Sequence, residues 1–506
     1  MEGSLYNFSV LAPVGFLAIG SMVVLMGEVL LSRRGGGGEA SLAEVRIGTA
    51  LAGLSTLFVL LAVYAAGSMF FAGTHSVFYS GHPMLRIDSL SSFTMVLVGL
   101  GALLSVWLSI TYLPVLHINH GEYYALLLLS TAGMFIMVSA IDMIALFMGF
   151  ELMSIPLYAL AGFDRRKLRS NESGLKYFLI GAFASAILLY GMALLYGATG
   201  HTDFAGIRAA FDASSPLALA GLSLLVVGLA FKVASVPFHL WVPDVYEGAP
   251  TSITAFMSVT VKTSAFVILL RFLVLALPES ALGETVEGLK SVFWLLAALS
   301  MIVGNVMAII QTNVKRLLAY SSIAHAGYLL IGFAAGTPEA RSAILFYLLV
   351  YVFMNLGAFG VVIALARGGR EWERIEDYAG LARSRPGLAA VMTLFLIALA
   401  GIPGTAGFMA KFYLFSAAIG AEVVVLPIIG VLTSVVSVYY YMRLPMAMYM
   451  REPPEEEPAE ASSNELLVLA VCAALVVYLG LFPNHDPLFG VFRALELADS
   501  AAAFAP

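Results

Sequence analysis

Apolar stretches long enough to cross a bilayer follow one another through almost the whole chain, and this recurrence narrows the fold before any motif is considered. A helix rising ~1.5 Å per residue needs about 20 residues to span a ~30 Å hydrocarbon core. Fourteen segments reach that scale: 9–31, 47–70, 89–113, 123–140, 142–163, 173–198, 217–240, 250–277, 290–310, 317–335, 341–366, 387–419, 424–449 and 465–482. Of the 506 residues, 60% are hydrophobic and 11% charged, and the mean hydropathy is +0.94. The expectation is an all-α, polytopic membrane protein with about 14 transmembrane helices.

The first apolar run follows Glu2 rather than a basic segment and is long enough to span, so it reads as helix 1 and not as a cleavable signal. The polar stretches 367–386 and 451–465 are too short for a core of their own and read as loops, the acidic run from Glu452 to Glu460 being a solvated one. Cys472 stands alone in an apolar run, which excludes a disulfide framework and a cysteine-ligated metal or cluster. With both termini outside, sixteen lysines and arginines fall in inner loops, among them Arg165, Arg166, Lys167 and Arg169. Five (Arg86, Arg208, Lys290, Arg341 and Arg493) fall outside. The positive-inside rule therefore places both termini on the outer side.

Two spans carry their own interruptions. The twelfth, 387–419, would measure about 50 Å as one helix, and it contains Gly401, Pro403, Gly404 and Gly407 just before Lys411. The seventh has Lys232 five residues before Pro237. Paired broken helices are the sequence pointer to an ion site between repeats, and the two lysines are 411 − 232 = 179 residues apart. The expected division is therefore 1–113 for helices 1–3, 123–277 for a first five-helix repeat (helices 4–8), 290–449 for a second (helices 9–13), and 465–506 for helix 14 and the tail. Five helices per unit make the repeats inverted; proline kinks used for packing alone are the alternative.

Glu151, Lys232, Lys262 and Lys411 each lie inside an apolar segment. An ionised side chain at the bilayer centre costs at least ~2.5–3.5 kcal/mol, so four of them ask for a function. Glu151 follows Asp142 by nine residues, which is mid-membrane, and is too short to reach water; Lys262 is as central and has Thr263 and Ser264 beside it. The four read as a proton relay, the alternative being static ion pairs that lock helices. His325, in span 10, is a proton carrier if wetted and a satisfied core histidine if not. His239 lies seven residues after Lys232, two turns along the same face of the seventh span. Lys176, Arg271 and Arg443 lie near predicted helix ends and read as snorkelling to the interface, and Glu28 reads as interfacial.

Other chemistry is absent from the sequence. No phosphate-binding glycine loop, H-E-x-x-H or C-x-x-C motif occurs, and Gly35 to Gly38 form a linker. No metal site is read. The net charge of −6 and the lack of a basic face beyond membrane-flanking loops exclude nucleic acid as a partner.

The string from Phe231 and Lys232 through Pro237, His239, Trp241, Pro243, Asp244, Tyr246 and Gly248 to Pro250 and Thr251 resembles the signature of the proton-translocating, antiporter-like membrane subunits of respiratory complex I, in the form of their subunit N branch. Further matches are Gly149–Tyr158 around Glu151, Lys315–Tyr328 around His325, and Gly401–Phe412 around Lys411. The resemblance covers nearly the whole chain. It implies that Glu151 and Lys232 are an ion pair whose opening and closing tunes proton affinity, that Lys262 passes protons at the membrane centre, and that Lys411 faces the exit. Lysine at position 411 argues against the M branch, which has glutamate there; the end at Pro506, without a long lateral helix, argues against the L branch.

The implied activity is proton translocation as a membrane-arm subunit of an NADH:quinone oxidoreductase, a translocase, with no redox centre or cofactor in this chain. Quinone, NADH, FMN and iron–sulfur clusters would belong to partner subunits. The implied partners are the other membrane subunits of complex I, especially a neighbouring antiporter-like subunit, and the lipid bilayer of a bacterial inner membrane. Two alternatives remain at this stage: a subunit of a multisubunit cation/proton antiporter, and a structural spacer of the membrane arm.

Overall fold

The computed structural model describes residues 6–32, 40–79, 81–278, 284–366, 371–453, 461–483, 498–501 and 503, with side chains omitted at 32, 40–44 and 284–287. Arg33, Arg34, Gly35 to Gly38, Arg367, Arg370, Arg493 and the acidic stretch from 454 to 460 lie outside the described residues.

Apolar sequence becomes helix almost throughout. Three helices open the chain: α1 (Ala12–Ser32), α2 (Ala40–Phe71) and α3 (Ser89–Val115). There follow α4 (Gly121–Ser139), α5 (Met143–Ala161), α6 (Leu168–Thr199), a short α7 (Phe204–Ala210), α8 (Pro216–Val233), α9 (Val242–Gly248), α10 (Thr251–Phe256) and α11 (Lys262–Ala276). Next come α12 (Glu284–Ile309), α13 (Val314–Ala335), α14 (Pro338–Ala364), a single turn α15 (Leu381–Ser384), α16 (Pro386–Ala400), α17 (Ala406–Gly420), α18 (Val425–Met450) and α19 (Ser463–Leu481). Among the described residues, thirteen helical segments are long and apolar enough to cross a membrane. Helices α16 and α17, each 15 residues, form the broken fourteenth between them. One two-stranded antiparallel ribbon, β1 (Ser76–Val77) with β2 (Arg86–Ile87), pairs Ser76 with Ile87 ahead of α3.

Helix starts follow local chemistry. Asp88 accepts from the Ser91 amide to cap α3, Asp142 caps α5, Asn313 caps α13, and Ser462 with Glu465 forms a reciprocal box at α19. Helices α13 and α14 are buried almost along their full length. The outer helices instead present apolar side chains outward, as Phe183, Tyr190 and Val435 do. That distribution suits a lipid-facing surface around a protein-packed interior.

Two helix pairs meet through glycine. A Cβ at Gly133 would stand 2.3 Å from the Met153 nitrogen, and one at Gly149 2.6 Å from that of Met137, so α4 and α5 have backbones in contact. A Cβ at Gly304 would likewise stand 2.6 Å from the Ala324 nitrogen, and one at Gly327 2.7 Å from that of Met301, joining α12 to α13. Small residues at such crossings let helices approach closely where lipid supplies no hydrophobic drive. The offsets, 304 − 133 = 171 and 327 − 149 = 178, resemble the spacing of the two central lysines.

The breaks differ in detail from the sequence expectation. Span 7 stops at Val233, where Ala234 takes a left-handed conformation (φ 62°) that costs alanine ~1–2 kcal/mol, and the chain runs through a linker to α9. His239 is therefore in the linker, and the expected helical face shared with Lys232 does not exist. Span 12 breaks at Gly401 (φ 83°) and Gly404 (φ 90°), positions glycine occupies without that cost. Lys232 thus precedes its break by one residue of helix, whereas Lys411 follows its own, on α17. The stretch expected as a plain loop at 367–386 carries a 3-10 turn at Ile375–Tyr378 and the turn α15.

Candidate functional site

Lys232, one residue before the end of α8, is fully buried, and its Nζ makes no hydrogen bond among the described residues. Aromatic faces surround it instead: the Phe150 ring centroid is 4.8 Å away, Tyr177 5.2 Å and Tyr158 5.3 Å. Tyr177 is fixed in turn by stacking on Trp241, whose indole donates to the Phe231 carbonyl. Glu151, next to Phe150 on α5, is close enough to act on Lys232 electrostatically, yet the two form no ion pair within 4.0 Å and Glu151 Oε1 also lacks a hydrogen bond among the described residues.

Lys262 opens α11 directly after a wider π-helical turn, Met257–Val261, a local irregularity that re-aims the side chains following it. Its Nζ donates to the Ser322 carbonyl at 2.6 Å and to the Ser322 hydroxyl. The partner that the sequence left unnamed is thus a serine of α13. Three residues on, buried His325 has Nδ1 2.6 Å from the Tyr347 hydroxyl and Nε2 3.4 Å from that of Tyr441.

Lys411 reaches back across the break. Its ammonium donates to the Ala400 carbonyl (2.9 Å), the Leu399 carbonyl (3.3 Å) and Ser434 Oγ (3.1 Å), and lies 4.6 Å from the Tyr328 ring centroid. A helix broken at Gly401 leaves carbonyls unsatisfied and a partial negative charge at its end, and a cation is the group that answers both. His325 is within electrostatic reach of both Lys262 and Lys411. The structure therefore gathers Lys262, His325 and Lys411 around α13 and sets Glu151 of α5 near Lys232 of α8. His239 is buried in the linker with Nδ1 unpartnered, and no contact joins it to the others among the described residues.

Arg271 corrects the snorkelling expectation. It is fully buried, and its guanidinium makes a fork to Asp88, at 2.6 and 3.0 Å, with a third bond to the Ala140 carbonyl. Burial alone would raise the Asp88 carboxyl, but Arg271 outweighs it and holds it at about 2. Lys176 pairs with Glu172 (2.6 Å) and Asp244 (2.7 Å), and Arg443 donates to the Ile309 and Gln311 carbonyls. Glu28 is partly buried 4.0 Å from His120, and with Glu122 they bring ligand atoms within 4.8 Å of one another.

One cluster escaped the sequence reading. Glu371, whose side chain is 8% exposed, lies beside Lys167 (3.5 Å) and Lys315 (3.7 Å) and accepts from the hydroxyls of Tyr112 and Thr251. Against the upward push of burial, Lys315 and Lys167 hold its carboxyl at about 2. Arg316 extends the lattice by bonding Asp244 and Glu247 of α9, each at 2.8 Å, so the start of α13 is tied to the half-helix beyond the Lys232 break. A clue existed in the adjacent Lys315 and Arg316 facing an acidic loop, but no spacing rule links them.

A sequence profile for the family described as "NADH:quinone oxidoreductase/Mrp antiporter, TM" matches residues 140–437. The chain is 44% identical over 466 residues to NADH-quinone oxidoreductase subunit N of Trichlorobacter lovleyi, covering 91% of this chain and 94% of that one. It is 40% identical to subunit N 1 of Acidiphilium cryptum, covering 98% and 99%. A chain of respiratory complex I from Thermus thermophilus with bound aureothin superposes with a TM-score of 0.77 at 33% identity over 96% of this chain and 99% of that one. A chain of the Mrp complex from Dietzia sp. DQ12-45-1b has a TM-score of 0.81 at 21% identity, covering 98% and 97%, a likeness of fold alone. The chain is therefore an antiporter-like, multi-pass membrane protein that belongs to the NADH:quinone oxidoreductase/Mrp antiporter family, and within it to subunit N of the bacterial NADH-quinone oxidoreductases.

Proposed function

We propose that this chain is a proton-translocating membrane-arm subunit of an NADH:quinone oxidoreductase, moving protons through Glu151, Lys232, Lys262, His325 and Lys411 while quinone is reduced elsewhere in the complex. The observation that carries the reading is that three lysines end inside the bundle, each on or beside an irregular helix, and that two of them flank one buried histidine. An ammonium keeps its proton beside a carboxylate and yields it more readily in apolar surroundings. One pKa unit is ~1.36 kcal/mol, and a charge crossing 100 mV costs ~2.3 kcal/mol, so a swing of a few units suffices for one uphill proton.

The order of helices and the matching glycine crossings favour two five-helix units, α4–α11 and α12–α18, inverted because each crosses an odd number of times. Both termini then lie on the outer face. Relatives named as subunits of NADH-quinone oxidoreductase favour a translocase complex in which NADH, FMN, iron–sulfur clusters and quinone are held by partner subunits, and a neighbouring antiporter-like subunit beside this one. His239, standing apart, has no step in this scheme.

Lys262→Met tests the reading. It preserves length and removes the buried charge, so assembled complex is expected in normal amount with sharply reduced proton transfer, followed by a pH-sensitive dye in inverted membrane vesicles during NADH oxidation. Wild-type pumping by the assembled variant sinks the relay, and loss of assembly as its sole defect favours a structural spacer. Copurification with flavin and iron–sulfur subunits separates the reading from a stand-alone cation/proton antiporter.

A further inference from the structure

A basic recess opens at one end of the bundle, where α18 stops beside the link between α12 and α13. The loop ahead of the Ile375–Tyr378 turn runs along that link: the Ile375 amide donates to the Thr312 carbonyl at 2.9 Å, and Asn313 pairs with Arg374 as an antiparallel bridge. Arg443 ties α18 to the same place by donating to the Ile309 and Gln311 carbonyls. The recess left between these segments measures about 420 Å3, and Arg374, Arg443 and Arg451 all line it.

Its charge is one-sided. Three guanidiniums stand against a single carboxylate, Glu376. Arg374 and Arg451 are exposed, and among the described residues neither makes an ion pair. Guanidiniums gathered this way repel one another, and an anion with several oxygens relieves the repulsion. Their planar forks match phosphate oxygens two at a time.

The remaining wall is apolar. Met446 and Met450, both exposed, are four residues apart and so share one side of the last turns of α18. That helix is long and apolar enough to cross a membrane, and the recess sits where it ends. A free anion gains nothing from two methionines, whereas a phosphate with an acyl chain attached meets both walls at once. A headgroup that carries an ammonium brings a positive charge among three others, so a lipid of net negative charge fits better.

We infer that this recess binds the headgroup of an anionic phospholipid of the phosphatidylglycerol class, with its phosphate against Arg374, Arg443 and Arg451 and an acyl chain along Met446 and Met450. A lipid seated there joins the end of α18 to the α12–α13 link. The same helix carries Ser434, to which Lys411 donates. The site itself stands apart from the proton relay and does not depend on it.

The test gives the assembled complex, depleted of native lipid in detergent, a phosphatidylglycerol with a photoactivatable group on an acyl chain, and maps the labelled peptides by mass spectrometry. Labelling is expected on the segment holding Met446 and Met450, with unlabelled phosphatidylglycerol competing about tenfold better than phosphatidylcholine. Arg374→Gln combined with Arg451→Gln is expected to cut labelling about tenfold. Arg374→Lys combined with Arg451→Lys keeps the charge and is expected to retain most of it, which serves if the glutamine pair fails to assemble. Glu376→Gln removes the opposing carboxylate and is expected to raise labelling about twofold, a gain that damage to the fold does not produce. Equal competition by phosphatidylcholine, competition by inorganic phosphate alone, or unchanged labelling in the glutamine pair overturns the assignment. Labelling that appears only after Glu455→Gln, Glu456→Gln and Glu457→Gln also overturns it, and gives the recess to that acidic stretch.

Discussion

Lys232 Nζ lies 4.8 Å from the centre of the Phe150 ring and forms no hydrogen bond among the described residues, although Phe150 is the chain neighbour of Glu151. The structure thus holds the lysine near that carboxylate without a hydrogen bond, sheltered by aromatic faces. An ion pair made there would be far stronger than the same pair in water.

Glu151→Ala and Lys232→Ala are each expected to depress proton translocation, and the double variant is expected to lose less than the sum, because one interaction is removed once. Dye-monitored pumping in vesicles with matched amounts of assembled complex gives the cycle. Strictly additive losses would speak against coupling.

Lys411→Arg separates a proton carrier from a fixed charge. Guanidinium stays protonated at any pH the protein meets, and its fork still satisfies the Ala400 and Leu399 carbonyls. Pumping is expected to fall nearly as far as in Lys411→Ala while assembly holds. A wild-type proton flux in the arginine variant removes Lys411 from the relay.

Asp88→Ala leaves Arg271 as an uncompensated buried charge and is expected to cost about 3–5 kcal/mol of stability. Because the folded-state carboxyl is held at about 2, below its unfolded value, the pair contributes fully above the ordinary carboxylate range and is lost as pH falls toward 2. Thermal unfolding of the purified complex at neutral pH is expected to show the loss. Asp88→Asn retains the shape and is expected to recover part of it.

Glu371→Gln keeps acceptors for Tyr112 and Thr251 but leaves Lys315, itself fully buried, with Glu373 at 3.6 Å and the Ala249 carbonyl as its partners. Looser ends of α3, α10 and α13 beside Glu371 are expected, seen as faster amide exchange there by mass spectrometry. Exchange unchanged from wild type removes Glu371 as a clamp.

Apolar length was enough to read the helices, because about twenty apolar residues in a row have few other fates. The buried lysines stood out for the same reason: charge is conspicuous where everything else is apolar. What escaped was tertiary. Arg271 looked like an end-of-helix arginine until Asp88, 183 residues away, was seen against it. Ser322, Ser434 and Tyr328 are ordinary membrane-helix residues by type, and their part comes from which helices α13 meets. His239 was misplaced because the left-handed residue that ends α8 is Ala234, which carries no signal of the kind Gly401 gives.

The glycine crossings also assign stiffness. Backbones in contact at Gly133 and Gly149, and again at Gly304 and Gly327, leave no room for one helix to slide on the other without collision. Glu151 lies two residues beyond Gly149 and His325 two before Gly327, so the carboxylate and the imidazole are mounted on fixed rails. Lys232 and Lys411 lie instead beside the places where regular hydrogen bonding stops, so the backbone next to the lysines is less constrained than the backbone that carries Glu151 and His325.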